Sequence, residues 1–538
     1  MSKAYDHYTH WYYGVVELRK VFRQCADSYK DELPSIGPYS GLDSSERAMQ
    51  LILAREYPVF QTLYGRRSRE RNGFYQVGDE ETFQLDSVRI GARKKSKRKV
   101  RLSGPLIFRQ LAVFAVVWMK ELGLLFTSRW RIDRTGPVSI LSNIGPGFYW
   151  RENTPSRFVD FCKNGKIGFF REAKTLLVTV SPGPWRFEDE RVVYVSNPRK
   201  FIADHYLNFG DRFSFLFSHL KTLVKFILSV PRHPLLALAA RDFAETALYE
   251  VANKRRVISD VFLPVSEMSS QPMYFNRMRN KNFHLHFVMP SAVATQYSFK
   301  SDPQFSFDPF YEFMKFDEAW VWTQPHADDL KSMLKLSRVH VVGPILWYLP
   351  RTHSNLAPRD RRIRAGIFDI TPFEHEYHDT RIGEGVFRYY IPENAIRFLQ
   401  DSVETMENVA KEQGLSVDIT LKAKRAFDKR FSRKYSELVE NLCETNRISL
   451  TPPDVDLFDY ISSLDLILVM PFSTPAYVAD DLNVPAIYYD PVDILHLSTH
   501  ETDHVKFIQG PDRLKEEIRR LLTLKQKLWK AHEQQVLL

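Results

Sequence analysis

Residues Leu464–Pro491, LDLILVMPFSTPAYVADDLNVPAIYYDP, decide how the rest of the chain is read. Leu464 to Met470 is a continuous run of strand-forming apolar residues, short enough for a strand buried on both faces of a parallel sheet. Pro471 ends it. Thr474 before Pro475 predicts a helix start with threonine as N-cap and proline at the first helical position, because proline lacks the N–H that would go unpaired there. The helix should be short, Pro475 to Leu482. Asn483 would take the left-handed position after it, and Pro485 blocks continuation before a second strand, Ala486 to Tyr489. In such a unit the Ser473 and Thr474 hydroxyls and the first-turn N–H groups project beyond the carboxyl end of the strand. Open α/β sheets bind ligands there, and a helix N-terminus favours an anion such as phosphate. An ordinary helix cap accounts for the same two hydroxyls equally well.

A regular βα rhythm surrounds this unit. Strands are expected at Arg364–Ile370, Val417–Leu421 and Arg447–Leu450, with helices over Glu393–Gln413 and Ser432–Thr445 and a closing helix from Pro511. Upstream, Val138–Ile144, Leu176–Val180, Val192–Val195, Val257–Leu263, Phe283–Met289, Ala319–Thr323 and Val339–Val342 read as strands. Long helical patterns run from Asp211 to Arg256, and His326–Leu336 makes the last two strands a βαβ unit closing a first Rossmann-like sheet. The expected fold class is α/β and GT-B-like, with two Rossmann-like domains facing a cleft and a helical N-terminal extension. The expected division is 1–135 (mainly helical), 136–348 (acceptor domain), 349–363 (linker), 364–510 (donor domain) and 511–538, a terminal helix free to return to the first domain.

Composition sets the class. The 538 residues suffice for two or three domains, and 44% hydrophobic with 14% aromatic residues describe a globular chain. Cys25, Cys162 and Cys443 have neither zinc-site spacing nor an even count, which fits a reducing cytosol. No export signal is visible at the N-terminus. Leu106–Phe126 is interrupted by Arg109, Lys120 and Glu121, and Phe213–Pro231 by His219, Lys221 and Lys225, so neither is expected to span a membrane; burial against the core is the favoured expectation for both, with an amphipathic lie on a membrane surface as the alternative. The net charge of +10 includes a dense run, Arg93–Arg101, read as a solvated loop able to touch anionic lipid at the inner membrane. No nucleic-acid-binding signature accompanies it.

The segment MPFSTPAYVADDLNVPAIYYDP resembles the surface-polysaccharide biosynthesis family named for a Pro-Phe-Thr-Ser motif, written here Pro471-Phe472-Ser473-Thr474 with the last two residues exchanged. DEAWVWTQPHADDL, VHVVGPILWY, AGIFDITPF and ITLKAKR (Ile419–Arg425) follow in the family's order, covering about the C-terminal half. Ala423 stands where the family pattern has proline between the two lysines. The resemblance implies a glycosyltransferase of capsule or lipopolysaccharide assembly. It also extends distantly to bacterial GT-B sialyltransferases and Kdo transferases, in which a Ser/Thr pair at a helix N-terminus holds a CMP-linked sugar acid. The implied partners are a nucleotide-sugar donor and a lipid-linked or oligosaccharide acceptor, with no nucleic acid. A cytoplasmic site, peripheral to the inner membrane, is expected.

Local chemistry points the same way. Lys422, Lys424 and Arg425 at a strand end, with Ser473 and Thr474 at a helix start, would clamp a leaving phosphate from two sides. The general base of an inverting transfer is sought among strand-end carboxylates and loop histidines. Asp369 and His375 are the chosen candidates, ahead of Asp317, Glu318, Glu374 and His378. His496, His500 and His504 would share a helix face, but no zinc-enzyme motif surrounds them, so neither metal nor cofactor is expected. Two alternatives stay open: a nucleotide-sugar epimerase or polyol-phosphate transferase on the same fold, and a non-catalytic basic scaffold on membrane.

Overall fold

The computed structural model describes residues 82–84, 88–93, 96–102, 104–144, 154–180, 189–231, 237, 239–264, 271–278, 283–289, 300, 314–334, 336–344, 362–374, 389–453, 455–471, 473–496 and 501–536. The chain divides into two compact units. The first comprises Met1–Pro290, Asp308–Val321 and Leu330–Leu349; the second comprises Ser291–Phe307, Trp322–Asp329 and Pro350–Leu538.

The first unit opens with an antiparallel sheet, β1 (Thr82–Gln84), β2 (Val88–Arg93) and β3 (Ser96–Leu102). The described part of the N-terminal region thus carries a strand element beside its helices. The basic run read as a loop pairs as strand instead, Arg89 opposite Arg101 and Gly91 opposite Lys99, while Lys94 and Lys95 lie outside the described residues. Helices α1 (Gly104–Leu122) and α2 (Leu124–Thr127) follow. The main sheet then takes up β4 (Val138–Ile144), β5 (Thr175–Val180) and β6 (Val192–Val195), with α3 (Thr154–Asn164) after the first of them.

The helical pattern expected over Asp211–Arg256 is broken in two, and a further helix precedes it. These are α4 (Pro198–His205), α5 (Phe209–Ser229), started by an Asn208–Asp211 capping box, and α6 (Ala240–Lys254). Almost every residue of the alanine-rich α6 is buried. Strand β7 (Ile258–Leu263), α7 (Met273–Met278), β8 (His284–Val288), β9 (Glu318–Val321), α8 (Gln324–Leu334, its part up to Asp329 grouped with the second unit) and β10 (Arg338–Val341) complete the series. The seven strands run β10-β9-β8-β7-β4-β5-β6, all parallel.

One stretch, Ile107–Thr127, is long and apolar enough to cross a membrane by length and composition, contrary to the expectation that no span qualifies, and only 22% of it is buried. The three charged residues stand near its ends and leave an apolar centre.

The second unit contains β11 (Arg362–Phe368), α9 (Pro392–Glu412), β12 (Ser416–Lys422), α10 (Arg433–Glu444), β13 (Ser449–Thr451), α11 (Leu457–Ser462), β14 (Leu466–Val469), α12 (Thr474–Asp481), β15 (Ala486–Asp490), β16 (Val505–Gln509) and α13 (Pro511–Val536). Its parallel strands run β13-β12-β11-β14-β15-β16. Numbered within the unit this is 3-2-1-4-5-6, the order of a Rossmann sheet, with its switch point between β11 and β14. A Cβ on Gly366 in β11 would lie 2.5 Å from Leu464 Cδ1, so a side chain there would force Leu464 to shift.

Two expectations change in this unit. The terminal helix α13 stays with the second unit: Leu514, Ile518 and Leu522 are buried, Gln413 Nε2 donates to Thr523 Oγ1 at 3.1 Å, and Glu412 pairs with Lys515 and Arg519. The histidine-bearing stretch is not helical where it is described: residues 501–504 are irregular and the chain then enters β16, while His500 lies outside the described residues. Strand pairing of Ile487 with Lys506 and Tyr489 with Ile508 decides this, a contact that helical spacing of three histidines cannot reveal.

Candidate functional site

The switch point places two chain turns side by side. Phe368 of β11 is in register with Lys422 of β12 and Val469 of β14, so Asp369, Ala423 and Met470 all leave the sheet at one edge. With strands about 4.8 Å apart, the Lys422 and Val469 backbones are about 10 Å from each other.

At the β14 end the helix starts one residue earlier than expected. Ser473, with φ −102° and ψ 154°, is the N-cap, Thr474 is the first helical residue and Pro475 the second. The Ser473 side chain does not cap. Its Oγ donates backwards to the Met470 carbonyl at 2.9 Å and closes the turn on itself. The Thr474 hydroxyl, half-buried, makes no hydrogen bond among the described residues. Tyr390 donates to the Pro471 carbonyl and Tyr488 to the Ser473 carbonyl, each at 2.6 Å. Asn483 adopts the left-handed conformation (φ 56°) that ends the unit, as its sequence position predicts.

The β11 and β12 ends are zipped together. Asp369 is buried and its Oδ1 accepts from Lys424 N at 2.8 Å and Thr371 Oγ1 at 3.2 Å, while Oδ2 accepts from the Tyr435 hydroxyl at 2.6 Å. Burial pushes the Asp369 carboxyl up against the opposing pull of these donors. Arg425 N donates to Thr371 Oγ1 at 3.1 Å, and Phe373 stacks on Phe431 with centroids 4.8 Å apart. The result is a rigid double loop whose Lys424 and Arg425 side chains are exposed, the Arg425 guanidinium 5.1 Å from the Phe373 ring centroid.

The predicted clamp residues thus fall into two groups. Ser473, Thr474, Lys424 and Arg425 share the carboxyl edge of the sheet. Lys422 shares it too but is buried, and its Nζ donates to the carbonyls of Pro453 at 2.7 Å and Pro452 at 3.3 Å. Asp369 braces the β12 loop through both oxygens. His375 lies outside the described residues.

Sequence reading missed the tyrosines that hold this edge and the role of Asp490. That buried carboxylate accepts from Tyr389 OH at 2.8 Å, from the backbone N–H groups of Val492, Ile494 and Leu495, and from Gln509 Nε2. The only advance signal was the density of tyrosine in AIYYDP. Behind the helix, the Tyr477 ring lies 4.7 Å from the His326 ring and 5.9 Å from Trp322, both in the segment grouped with this unit.

A second polar cluster lies in the first unit. His286 meets Asp260 at 2.9 Å, and Glu318 accepts from Arg338 and Arg171. Glu318 and Arg338 open their strands, so they stand at the amino ends, opposite the edge where parallel sheets bind ligands. Among the described residues, no group of three or more His, Cys, Asp and Glu side chains could hold a metal ion.

A family model described as polysaccharide biosynthesis PFTS motif protein matches residues 221–518. Comparison with curated proteins gives no match. Among solved structures, a TarM variant from S. aureus in complex with Fondaparinux, alpha-GlcNAc-glycerol and UDP is 12% identical at TM-score 0.29. It covers 54% of this chain, and the chain spans about half of that protein, 52%. An alpha,alpha-trehalose-phosphate synthase (UDP-forming) from Burkholderia vietnamiensis is 10% identical at TM-score 0.34, covering 72% of this chain and 89% of its own. The wall teichoic acid polymerase TagF is 10% identical at TM-score 0.36, covering 80% and 92%.

Proposed function

The chain belongs to the family of polysaccharide biosynthesis PFTS motif proteins, and from that membership we propose that it is a GT-B-like glycosyltransferase whose second unit binds a nucleotide-activated sugar. The observation that carries the reading is the start of α12: a Thr474 hydroxyl with no hydrogen bond among the described residues, at a helix N-terminus on the switch point of a 3-2-1-4-5-6 sheet. The aligned peptide dipoles there amount to about half a positive charge, and the hydroxyl adds a donor to an anion. The exposed side chains of Lys424 and Arg425 supply positive charge at the same edge. Charge developing on the leaving phosphate as the glycosidic bond breaks is stabilised by donors already in place, so little reorganisation opposes the step.

Within this reading the donor is a CMP-linked sugar acid such as Kdo or a nonulosonate. The acceptor is a lipid-linked or oligosaccharide chain of capsule or lipopolysaccharide, recognised by the first unit at the cytoplasmic face of the inner membrane. Asp369 acts as a positioning residue for Lys424 and Arg425, since both its oxygens are engaged, and the general base is assigned to His375. Lys422 fixes the 452–453 turn behind them.

The test is ligand binding to the full chain by thermal shift with CMP, CDP and UDP. A nucleotide at 100 times its dissociation constant should stabilise the protein by about 2.7 kcal/mol. A shift with CMP that Thr474→Ala reduces by about half or more supports the reading. A shift with UDP alone replaces the donor, and no shift with any nucleotide overturns the donor site.

A further inference from the structure

Helices α1 and α5 lie antiparallel against each other: Phe114 stacks on Phe226 at 4.0 Å, Trp118 on His219 at 4.4 Å, and Trp130 meets Phe215 at 5.7 Å. Their inner faces cover the buried helix α6, Phe226 reaching Phe243 at 5.3 Å. A surface helix with one face so engaged ordinarily turns charge to water, as α9 does with Arg397, Glu404 and Lys411. These two do not. On α5, Phe213, Phe217, Val224 and Ile227 are 54–71% exposed, at spacings of four, seven and three residues. On α1, Phe108, Val116 and Met119 are 59–75% exposed. The faces join at one end, where the Arg212 guanidinium lies 5.9 Å from the Phe126 centroid and 5.7 Å from that of Phe209. A continuous apolar face of this kind marks an interaction site.

We propose that the outer face of the α1–α5 pair is a docking surface for an anionic lipid membrane, on which both helices lie in the interfacial plane. Charge identifies the occupant. The only acidic residues of the two helices are Glu121 and Asp211, both buried and paired, with Arg199 at 3.0 Å and Arg255 at 2.6 Å. Arg109, Lys120 and Lys221 are exposed, so the exposed charges of the two helices are all cationic. Strand β3, with Lys97, Arg98, Lys99 and Arg101, enters α1 one residue later. Aromatic and aliphatic side chains flanked by cations match the acyl boundary and the phosphates of an anionic leaflet. A second copy of the same face would bring like charges together. Spanning is excluded by packing, since the inner faces of both helices and the Glu121–Arg199 pair are committed to the protein core.

The proposal stands independently of the donor site. Full-length protein is sedimented with extruded vesicles of phosphatidylcholine, with and without phosphatidylglycerol. Binding is expected to the anionic vesicles and to fall with salt. Arg109→Glu, Lys120→Glu and Lys221→Glu combined should weaken it about a hundredfold, from roughly tenfold or less per basic residue. Phe213→Ser with Phe217→Ser and Val224→Ser should weaken it about tenfold or more, from loss of buried apolar area. Both sets lie on exposed positions, and unchanged melting temperature and nucleotide shifts certify the fold. Absence of vesicle binding by the unsubstituted protein, or equal binding by both folded variants, overturns the proposal. So does a dimer in solution that the serine variant converts to monomer, which would assign the face to a second copy.

Discussion

The Tyr488 hydroxyl donates to the Ser473 carbonyl across 2.6 Å, joining the third residue of β15 to the residue that starts α12. A trans peptide is planar with its N–H opposed to its C=O, so fixing the Ser473 carbonyl also fixes the direction of the Thr474 N–H, away from Tyr488. Tyr488→Phe should therefore weaken nucleotide binding several-fold while costing about 1 kcal/mol in stability, the usual net worth of one hydrogen bond. Titration calorimetry beside thermal melts measures both; unchanged affinity with lowered stability would reduce the bond to a structural tie.

Ser473 and Thr474 should separate on substitution. Because the Ser473 Oγ–H is committed to the Met470 carbonyl, Ser473→Ala is expected to lower stability by about 1 kcal/mol and leave affinity within a few-fold. Thr474→Ala should do the reverse, weakening donor binding roughly tenfold to a hundredfold as one charge-assisted hydrogen bond of about 1.5–3 kcal/mol is lost. A reversed pattern would move the anion contact to Ser473.

Glu121 gives the first unit a pH signature. Burial raises its pKa from 4.5 to about 7, against the opposing Arg199 charge, and its Oε2 is buried without a hydrogen-bond partner. Below the lower value both folded and unfolded chains hold the proton. As pH rises through the window from 4.5 to about 7 the unfolded chain releases it first, so this group's contribution to stability falls. The loss is on the order of 3 kcal/mol. Glu121→Gln should remove that slope, and its melting temperature relative to the unsubstituted protein should be higher at pH 8 than at pH 4.5. A constant difference across that range would show that Glu121 does not titrate there.

Asp490 should be among the most sensitive positions of the second unit. Asp490→Ala strips acceptors from a tyrosine hydroxyl, a glutamine amide and three backbone N–H groups at once. A cost of about 3 kcal/mol or more is expected, since buried donors left unpaired carry their full desolvation penalty. Chemical denaturation measures it, and a loss below about 1 kcal/mol would mean that water or a local shift replaces the carboxylate.

The sequence by itself determined the order and type of most elements, because strand and helix periods and the Pro, Asn and Gly stops act within a few residues. The apolar run ending at Pro471, the Asn483 stop and the Gly414 stop, with φ +66°, are cases in point. That local chemistry also singled out the carboxyl edge of the second sheet, where α12 starts. Strand β16 escaped because its reason for existing is pairing with β15, and the basic run read as a loop is held by β2 in the same way. Roles within the site were decided only by tertiary structure. Asp369 meets Tyr435 from 66 residues away and Tyr390 meets Pro471 from 81, so no local pattern could tell an engaged carboxylate or hydroxyl from an open one. Lys422 and Lys424 differ by two residues in sequence, yet one is buried against two carbonyls and the other faces water. For the apolar helices α1 and α5 the sequence left two readings open, burial against the core and an amphipathic lie on a membrane. Apolar periodicity states that a helix has hydrophobic surface, but only the packing of α6 beneath them settles which face is covered and which is left for something outside the chain.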